Sequence, residues 1–342
     1  MIKLNCMKIY LMALTLLAGF VAESSTHAHE VSPNGFLLVC NKGDHTLGIV
    51  DPAAGKMIAA VQEDGGTGHE VVASPDGKLA FVPIYGNAGV GRPGTDGQLI
   101  RVIDLMKRAV VGTVDLGKGL RPHCAIIGPK NGLLYVTTEL ENSVTVIDPQ
   151  TLKVMGSIPT GEPESHMLAV TSDGKRGYTA NVNSGTVSVL DLEAKKLLAV
   201  IPICRTTQRI SLSPDNHWVF TSDQIRPRLA VIDTRTNGVR QWIEMPATGY
   251  GSAPTPDGRW LLVALPKVNQ VAVINLATMK VAHSLDVPKA PQEVLVRPDG
   301  LEAYVSCSDS RKIAVINVKD WEVKRLIAAG PGADGLAWAS GK

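Results

Sequence analysis

Several things are scarce in this chain of 342 residues. Aromatic residues make up only 4% of it, and five cysteines are all it has. Charge of one sign is missing: 34 Lys and Arg stand against 32 Asp and Glu, for a net charge of +2 without any run of like charges. That balance excludes a basic nucleic-acid tract and an electrostatic membrane anchor. The sequence contains no G-x-S-x-G, H-E-x-x-H, C-x-x-C-H or paired C-x-x-C, so serine hydrolase, zincin, covalent haem and zinc finger all lack their usual signatures. After the N-terminal segment no stretch follows a helical hydrophobic period.

Long apolar runs are missing too, with one exception. Ile9 to Ala22 follows Lys3 and Lys8, which has the charge and length of a secretory leader and is too short to span a bilayer comfortably. Residues 1–28 are therefore expected to be a signal peptide, with Thr26 and Ala28 forming one acceptable cleavage site and Ser24 and Thr26 another. A short segment, 29–34, would precede a single domain over 35–342. Cys6 lies too early to be a lipoprotein cysteine. The expectation is a periplasmic or secreted protein without stable membrane insertion after cleavage.

What is abundant is small and β-forming: 44% hydrophobic residues, 33 Gly and 21 Pro describe a turn-rich globular protein. It is also repetitive. "HEVVASP" at 69 matches "HCAIIGP" at 123, "HMLAVTS" at 166, "QRISLSP" at 208, "YGSAPTP" at 250, "QEVLVRP" at 292 and "DGLAWAS" at 334, at spacings of 54, 43, 42, 42, 42 and 42. Each unit but the last continues through a turn, a strand such as "LYV", a polar loop, a strand such as "VTVIDP", and a short fourth strand such as "KVMGSIPT". Four short strands per 40–45 residues mark a propeller blade, whose faces are buried only by its neighbours. The expected fold is all-β, a seven-bladed β-propeller of four-stranded antiparallel blades. The last unit supplies only an inner strand, and "GFLLVC", "LGIVDP" and "KMIAAV" near the start supply the other three. N- and C-terminal strands thus share one blade and close the ring, which removes an open edge.

Strings such as "SPDGKLAFVPIYGN", "LYVTTELENSVTVIDPQTLKVMGSIPTG" and "AYVSCSDSRKIAVINV" resemble the YVTN-repeat, YncE-like family of seven-bladed propellers over essentially the whole mature chain. The chain is similar, more distantly, to the haem-binding propeller of nitrite reductases and to propeller lactonases. The resemblance implies the fold and leaves the function open, because such propellers serve adhesion, binding and catalysis.

The residue immediately before each inner strand should face the central channel. In ring order these are Asp334, His69, His123, His166, Gln208, Tyr250 and Gln292, and the next positions hold Gly335, Glu70, Cys124, Met167, Arg209, Gly251 and Glu293. His69, His123 and His166 on three consecutive blades are candidate ligands for a divalent transition metal, since neutral imidazole suits such ions and three leave coordination positions open. An organic-ligand pocket without metal and a structural polar lining are the two other readings of the same trio. Gln208, Arg209, Gln292 and Arg121 are candidates for holding a small polar or anionic ligand. Glu70, Tyr250 and Asp334 are candidate proton-transfer groups.

Loops joining second and third strands fall at the same mouth. The long one, "YGNAGVGRPGTDGQ", reads as a flap; charged residues from Glu139 and Glu141 to Arg226 and Arg228, with Glu164, Arg205 and Lys289 in the connectors, form a mixed rim. His45, His217 and His283 read as structural or solvated, and the Pro-Asp-Gly acids as turn residues of the opposite face. The combined expectation is an exported propeller that binds a small polar ligand or metal at the channel mouth, with an envelope protein as a further partner. The alternative is a metal-assisted hydrolase, lactonase or lyase. Cys40, Cys124, Cys204 and Cys307 read as small buried hydrophobes, with a Cys40–Cys307 disulfide as the alternative, because these two follow matching strands of neighbouring units.

Overall fold

The computed structural model describes Met1, residues 35–87 and residues 89–341. The expected leader and the segment 29–34, Met1 apart, lie outside the described residues. Seven antiparallel sheets follow one another along the chain, six of four strands and one of five. In the fifth-strand case the inner strand is split into Thr67–Gly68 and Val72–Ala73, both paired with Leu79–Gly86. In five of the four-stranded sheets the strands run from channel to rim in chain order, as in Ser165–Val170, Arg176–Asn181, Thr186–Asp191 and Lys196–Pro202. The last strand, Ala333–Ala339, pairs with Phe36–Asn41, Phe36 opposite Ala339. The fold is a seven-bladed β-propeller, closed by strands from both ends of the described chain. Among the described residues no helix is long and apolar enough to cross a membrane.

The strands alternate because a blade has two faces and each must meet a different neighbour. Phe36, Leu38 and Cys40 pack with Ala80 and Val82 of the first repeat, whereas Leu37 and Val39 pack with Tyr304 and Val315 on the other side. Side chains such as Leu37, Leu38 and Ile49 are fully buried, each contributing roughly 1.5–3 kcal/mol of apolar burial. The same alternation decides the cysteines. Cys40 faces the seam toward the first repeat, while Cys307 packs with Leu262 and Ala264 in the seam on the far side of its own blade. No disulfide joins them; all four described cysteines are free. At the face opposite the channel mouth, Ser74, Thr171, Ser213 and Thr255 donate to Asp76, Asp173, Asp215 and Asp257 at 2.5–2.6 Å. Those acids are turn residues.

Toward the mouth the inner strands break their ladders at the repeat position singled out above, except Ser252–Pro254, which starts two residues after Tyr250 and pairs without a register shift. Ser165 pairs with Asn181 and Met167 with Ala180, leaving His166 as the extra residue of a bulge. Similar shifts isolate His123–Cys124, Gln208–Arg209, Glu293 with Gln292, and Asp334–Gly335. A bulge re-aims a side chain that a regular strand would bury in a seam. Hydroxyls on the second strand fill the gaps: the Cys124 amide donates to Thr137, the Glu293 amide to Ser306, and Thr221 donates to the Arg209 carbonyl. Two residues earlier the chain turns through left-handed backbone at Arg121, Glu164, Ala290 and Gly332, with φ of 50°, 55°, 57° and 67°. Three of these are not glycine, a conformation that costs about 1–2 kcal/mol each, so the turn into the channel is held by its surroundings.

Candidate functional site

The bulges deliver two different groupings to the channel. On one side stand the rings. Tyr85 stacks on His69 with centroids 4.6 Å apart, His69 meets His123 edge-on at 5.3 Å, and His123 lies on His166 at 3.6 Å. His123 and His166 are each only 1% exposed, while His69 and Gln208 keep part of their surface open. Burial, helped by the neighbouring imidazoles and by Arg209 and Lys42, pushes His123 far below the ordinary histidine range. Burial and Lys42 likewise bring His69 down to about 3. Both rings are neutral at physiological pH.

His166 is held from behind. Its Nδ1 meets Oε1 of Glu139, whose other oxygen accepts the Tyr85 hydroxyl at 2.7 Å. Glu139 opens a short 3-10 turn, Glu139–Glu141, that directs it inward, and it is buried. A carboxylate only accepts, so Nδ1 of His166 is the donor of this pair, and Nε2 is left facing Gln208. The amide nitrogen of Gln208 lies 3.2 Å from that Nε2. Nδ1 of His123 has no hydrogen-bond partner among the described residues.

On the other side stand the charges. Arg209, buried in the channel, donates through Nη1 to Glu70 and to Glu293 at 2.7 Å, and through Nη2 to Asp334 at 3.0 Å. Lys42 reaches the second oxygen of Asp334 at 2.8 Å, and the guanidinium lies 4.8 Å from the Tyr250 ring centre. Burial would raise Asp334, but Lys42 and Arg209 outweigh it and bring it down to about 2. Burial prevails at the other two acids, despite Arg209: Glu70 rises to about 8 and Glu293 to about 7. Three carboxylates facing two cations hold one negative charge too many, and a proton retained by the two glutamates removes it.

The ring order read from the repeat thus holds in space, with consequences for each candidate. Glu70, Asp334 and Arg209 are tied to one another across the channel. Arg121 is buried with its guanidinium 5.8 Å from the Tyr85 ring centre, donating to Asp96 at 2.6 Å and to the Arg92 carbonyl at 2.8 Å. It pins the long insertion, which also closes against Tyr85 through the Gly97 amide (2.8 Å). Gly91 of that insertion packs on the Glu164 carboxylate, where a Cβ would come within 3.1 Å. The insertion therefore leans from the blade of His69 onto the linkers that lead into His123 and His166. Gln292 turns its amide nitrogen to the Ala290 and Pro291 carbonyls, and with Tyr250, Gln224 and Lys267 it lines a separate hollow of about 230 Å³. Much of the rim is structural, including Asn181, which is buried among Ser165, Thr186 and Ser188.

Among the described residues no group of three His, Cys, Asp or Glu side chains is arranged to hold a metal ion. His123 and His166 pack by their faces, and His69 meets His123 edge-on. Tyr85 and Lys42 lie outside the repeat position that marks the ring in the sequence, and Glu139 reads there only as a rim charge. Each belongs to a loop or strand end next to the bulges; the acid in "TTELENS", where the next repeat carries "ANVNSG", is the available signal for Glu139.

No family model matches the chain. Over 138 residues it is 29% identical to the seven-bladed beta-propeller protein Rv1057 of Mycobacterium tuberculosis, a match that covers 40% of this chain and only 32% of the relative's length. Among solved structures it is similar to Kuenenia stuttgartiensis hydrazine synthase, with TM-score 0.73 and 17% identity over 84% of this chain and 94% of that one. The dihydro-heme d1 dehydrogenase NirN, solved in complex with DHE, superposes with TM-score 0.65 and 17% identity over 90% of this chain and 76% of its own. A functionally unknown protein from Desulfotomaculum acetoxidans gives TM-score 0.73 and 14% identity, covering 90% of this chain and all of that one, 100%. These likenesses carry the fold.

Proposed function

We propose that this protein binds a small polar ligand at the channel mouth, on the wall made by His69, His123 and His166 beneath the long insertion. The observation that carries the reading is the unpartnered Nδ1 of His123 beside two further imidazoles. Leaving a buried polar nitrogen unpaired costs about 1–3 kcal/mol, and a ligand group placed there recovers that loss. The hydrazine synthase and NirN, an enzyme pair named for small-molecule chemistry, support the use of this fold for such a purpose. Thermal shift of the purified protein against a panel of hydroxy acids, sugars and other small polar metabolites tests it, because a ligand of the native state raises Tm with concentration. Stabilisation in wild type that disappears in His123→Ala is the expected result. A flat response across the panel, or equal responses in the variant, overturns it.

A divalent transition metal is the second reading, and the pairing of Glu139 with Nδ1 of His166 favours it, since histidine ligands are commonly oriented by a carboxylate in that position. His69, His123 and His166 would hold the ion after their rings turned out of the stack, and the ion would supply Lewis acidity. Calorimetric titration of untagged protein with zinc, copper, manganese and nickel decides it. YVTN-type membership, export and an envelope partner belong to the same proposal; they rest on the repeat strings and on the apolar run after Lys8. N-terminal sequencing of the protein recovered from its native cell tests export, with cleavage near residue 28 as the expected outcome.

A further inference from the structure

We infer that the hollow beside Tyr250 is a second binding site, one that takes a small α-amino acid as its zwitterion. It lies apart from the imidazole wall: Tyr250 and Gln292 belong to the fifth and sixth repeats of the ring, whereas His69, His123 and His166 belong to the first three. The inner strand Ser252–Pro254 starts late, so the chain from Thr248 to Tyr250 stays outside the strand, and the hollow of about 230 Å³ opens beside it. Tyr250 separates that hollow from the charged wall, since it lines the one and lies 4.8 Å from the Arg209 guanidinium of the other. Drug-sized sites take about 300–1,000 Å³, so the ligand here is smaller.

The polar groups around the hollow are oriented by what they touch. Gln224 points its amide nitrogen at the Gly249 carbonyl, 2.9 Å away, and Gln292 points its own at the carbonyls of Ala290 and Pro291, at 3.2 and 3.4 Å. A carbonyl only accepts, so the end of each amide that meets one is the NH2, and the other end is an acceptor. Neither Oε1 takes a hydrogen bond from the described residues, and both side chains line the hollow. Lys267 lines it too. It is exposed, has no carboxylate partner among the described residues, and reaches only the Thr248 hydroxyl, at 3.5 Å. Two acceptors without a donor and one cation without an anion suit a ligand that carries both charges. An ammonium has three N–H groups and serves both amide oxygens, while the carboxylate of the same molecule meets Lys267. A hydroxy acid offers a single donor in place of the ammonium, and a plain carboxylate offers none. Pro266 and Tyr250 give the hollow an apolar side for a short side chain.

The test is calorimetric titration of the full chain with glycine, L-alanine and L-serine, and then with L-lactate, acetate and methylamine, each of which lacks one of the two charged ends. At least one of the amino acids should bind about tenfold or more tightly than any of the three controls. Lys267→Met, Gln224→Met and Gln292→Met should each weaken that binding by about tenfold, while His123→Ala leaves it unchanged. Lys267 is exposed, so its variant keeps the fold and decides the matter even where a glutamine variant does not fold. No binding of any of the three amino acids below about 10 mM overturns the inference. So does L-lactate binding as tightly as L-alanine, or an affinity that Lys267→Met does not change. Binding lost in His123→Ala would assign the amino acid to the imidazole wall and likewise remove the second site.

Discussion

The two walls of the channel solve the same problem in opposite ways. Both place polar side chains where water is excluded, and both draw them from the same bulged position of the repeat or the one after it. The charged wall ties its groups to one another: Arg209 engages one oxygen of each of three carboxylates, and Lys42 takes the second oxygen of Asp334. The imidazole wall is tied at one end only, where Glu139 holds His166, and at His123 it presents an unpaired nitrogen. A network closed on itself has little left to offer a ligand, and removing one member strands the rest. The open wall loses less by mutation and has more to gain from a ligand.

The largest expected effect breaks the closed wall. Arg209→Met leaves Glu70, Glu293 and Asp334 facing one another in a buried channel, and should lower stability by about 3–5 kcal/mol in denaturant titration at neutral pH. A loss below about 1 kcal/mol would mean that the carboxylates simply take up protons and that the tie is not structural.

The walls should also differ in the sign of their pH dependence. Glu70 and Glu293 are raised to about 8 and about 7 in the fold from an ordinary 4.5, so the folded state binds protons more strongly there. Their contribution is fully present below about pH 4.5 and is lost as pH rises through 7 to 8. Asp334, lowered to about 2, contributes above its ordinary 3.8 and loses that contribution as pH falls toward 2. His69, lowered to about 3, and His123, lowered further, contribute above the ordinary 6.5 and lose stability as pH falls below it. Stability followed from pH 4 to 9 should therefore pass through a maximum. Glu70→Gln should flatten the alkaline side, and His123→Ala the acid side. Variants that move the wrong limb would show that the two walls titrate as one unit.

A smaller effect is expected from His123→Ala alone. The ring packs between His69 and His166 without a hydrogen bond at Nδ1, so its removal should cost about 1–2 kcal/mol, within the usual range for a buried side chain. A cost as large as that of Arg209→Met would place His123 among the structural residues. The least effect belongs to the thiols. Burial raises Cys124 and Cys307 to about 12 and Cys204 to about 11, and pushes Cys40 well above the ordinary thiol range. A thiol reagent should leave the native protein nearly untouched, with the half-buried Cys204 reacting first.

The sequence by itself determined the number of blades, the closing strand and the ring order, because each blade must present the same two apolar faces and the same channel position to its neighbours. It therefore repeats them at a readable spacing. The convergence of His69, His123 and His166 followed from that phase. Which nitrogens are free, and which acids are engaged, did not. Glu139 and Tyr85 come from strand ends whose lengths vary between repeats, Lys42 from a loop of the closing blade, and Arg209 reaches acids carried 139, 84 and 125 residues away along the chain. The apparent partnership of Cys40 and Cys307 failed for a related reason, since neighbouring blades can place matching strand positions in different seams. Such choices are made only when the ring closes: closure fixes the distances across the channel, and those distances, acting at low dielectric, decide which polar groups pair and which are left for a ligand.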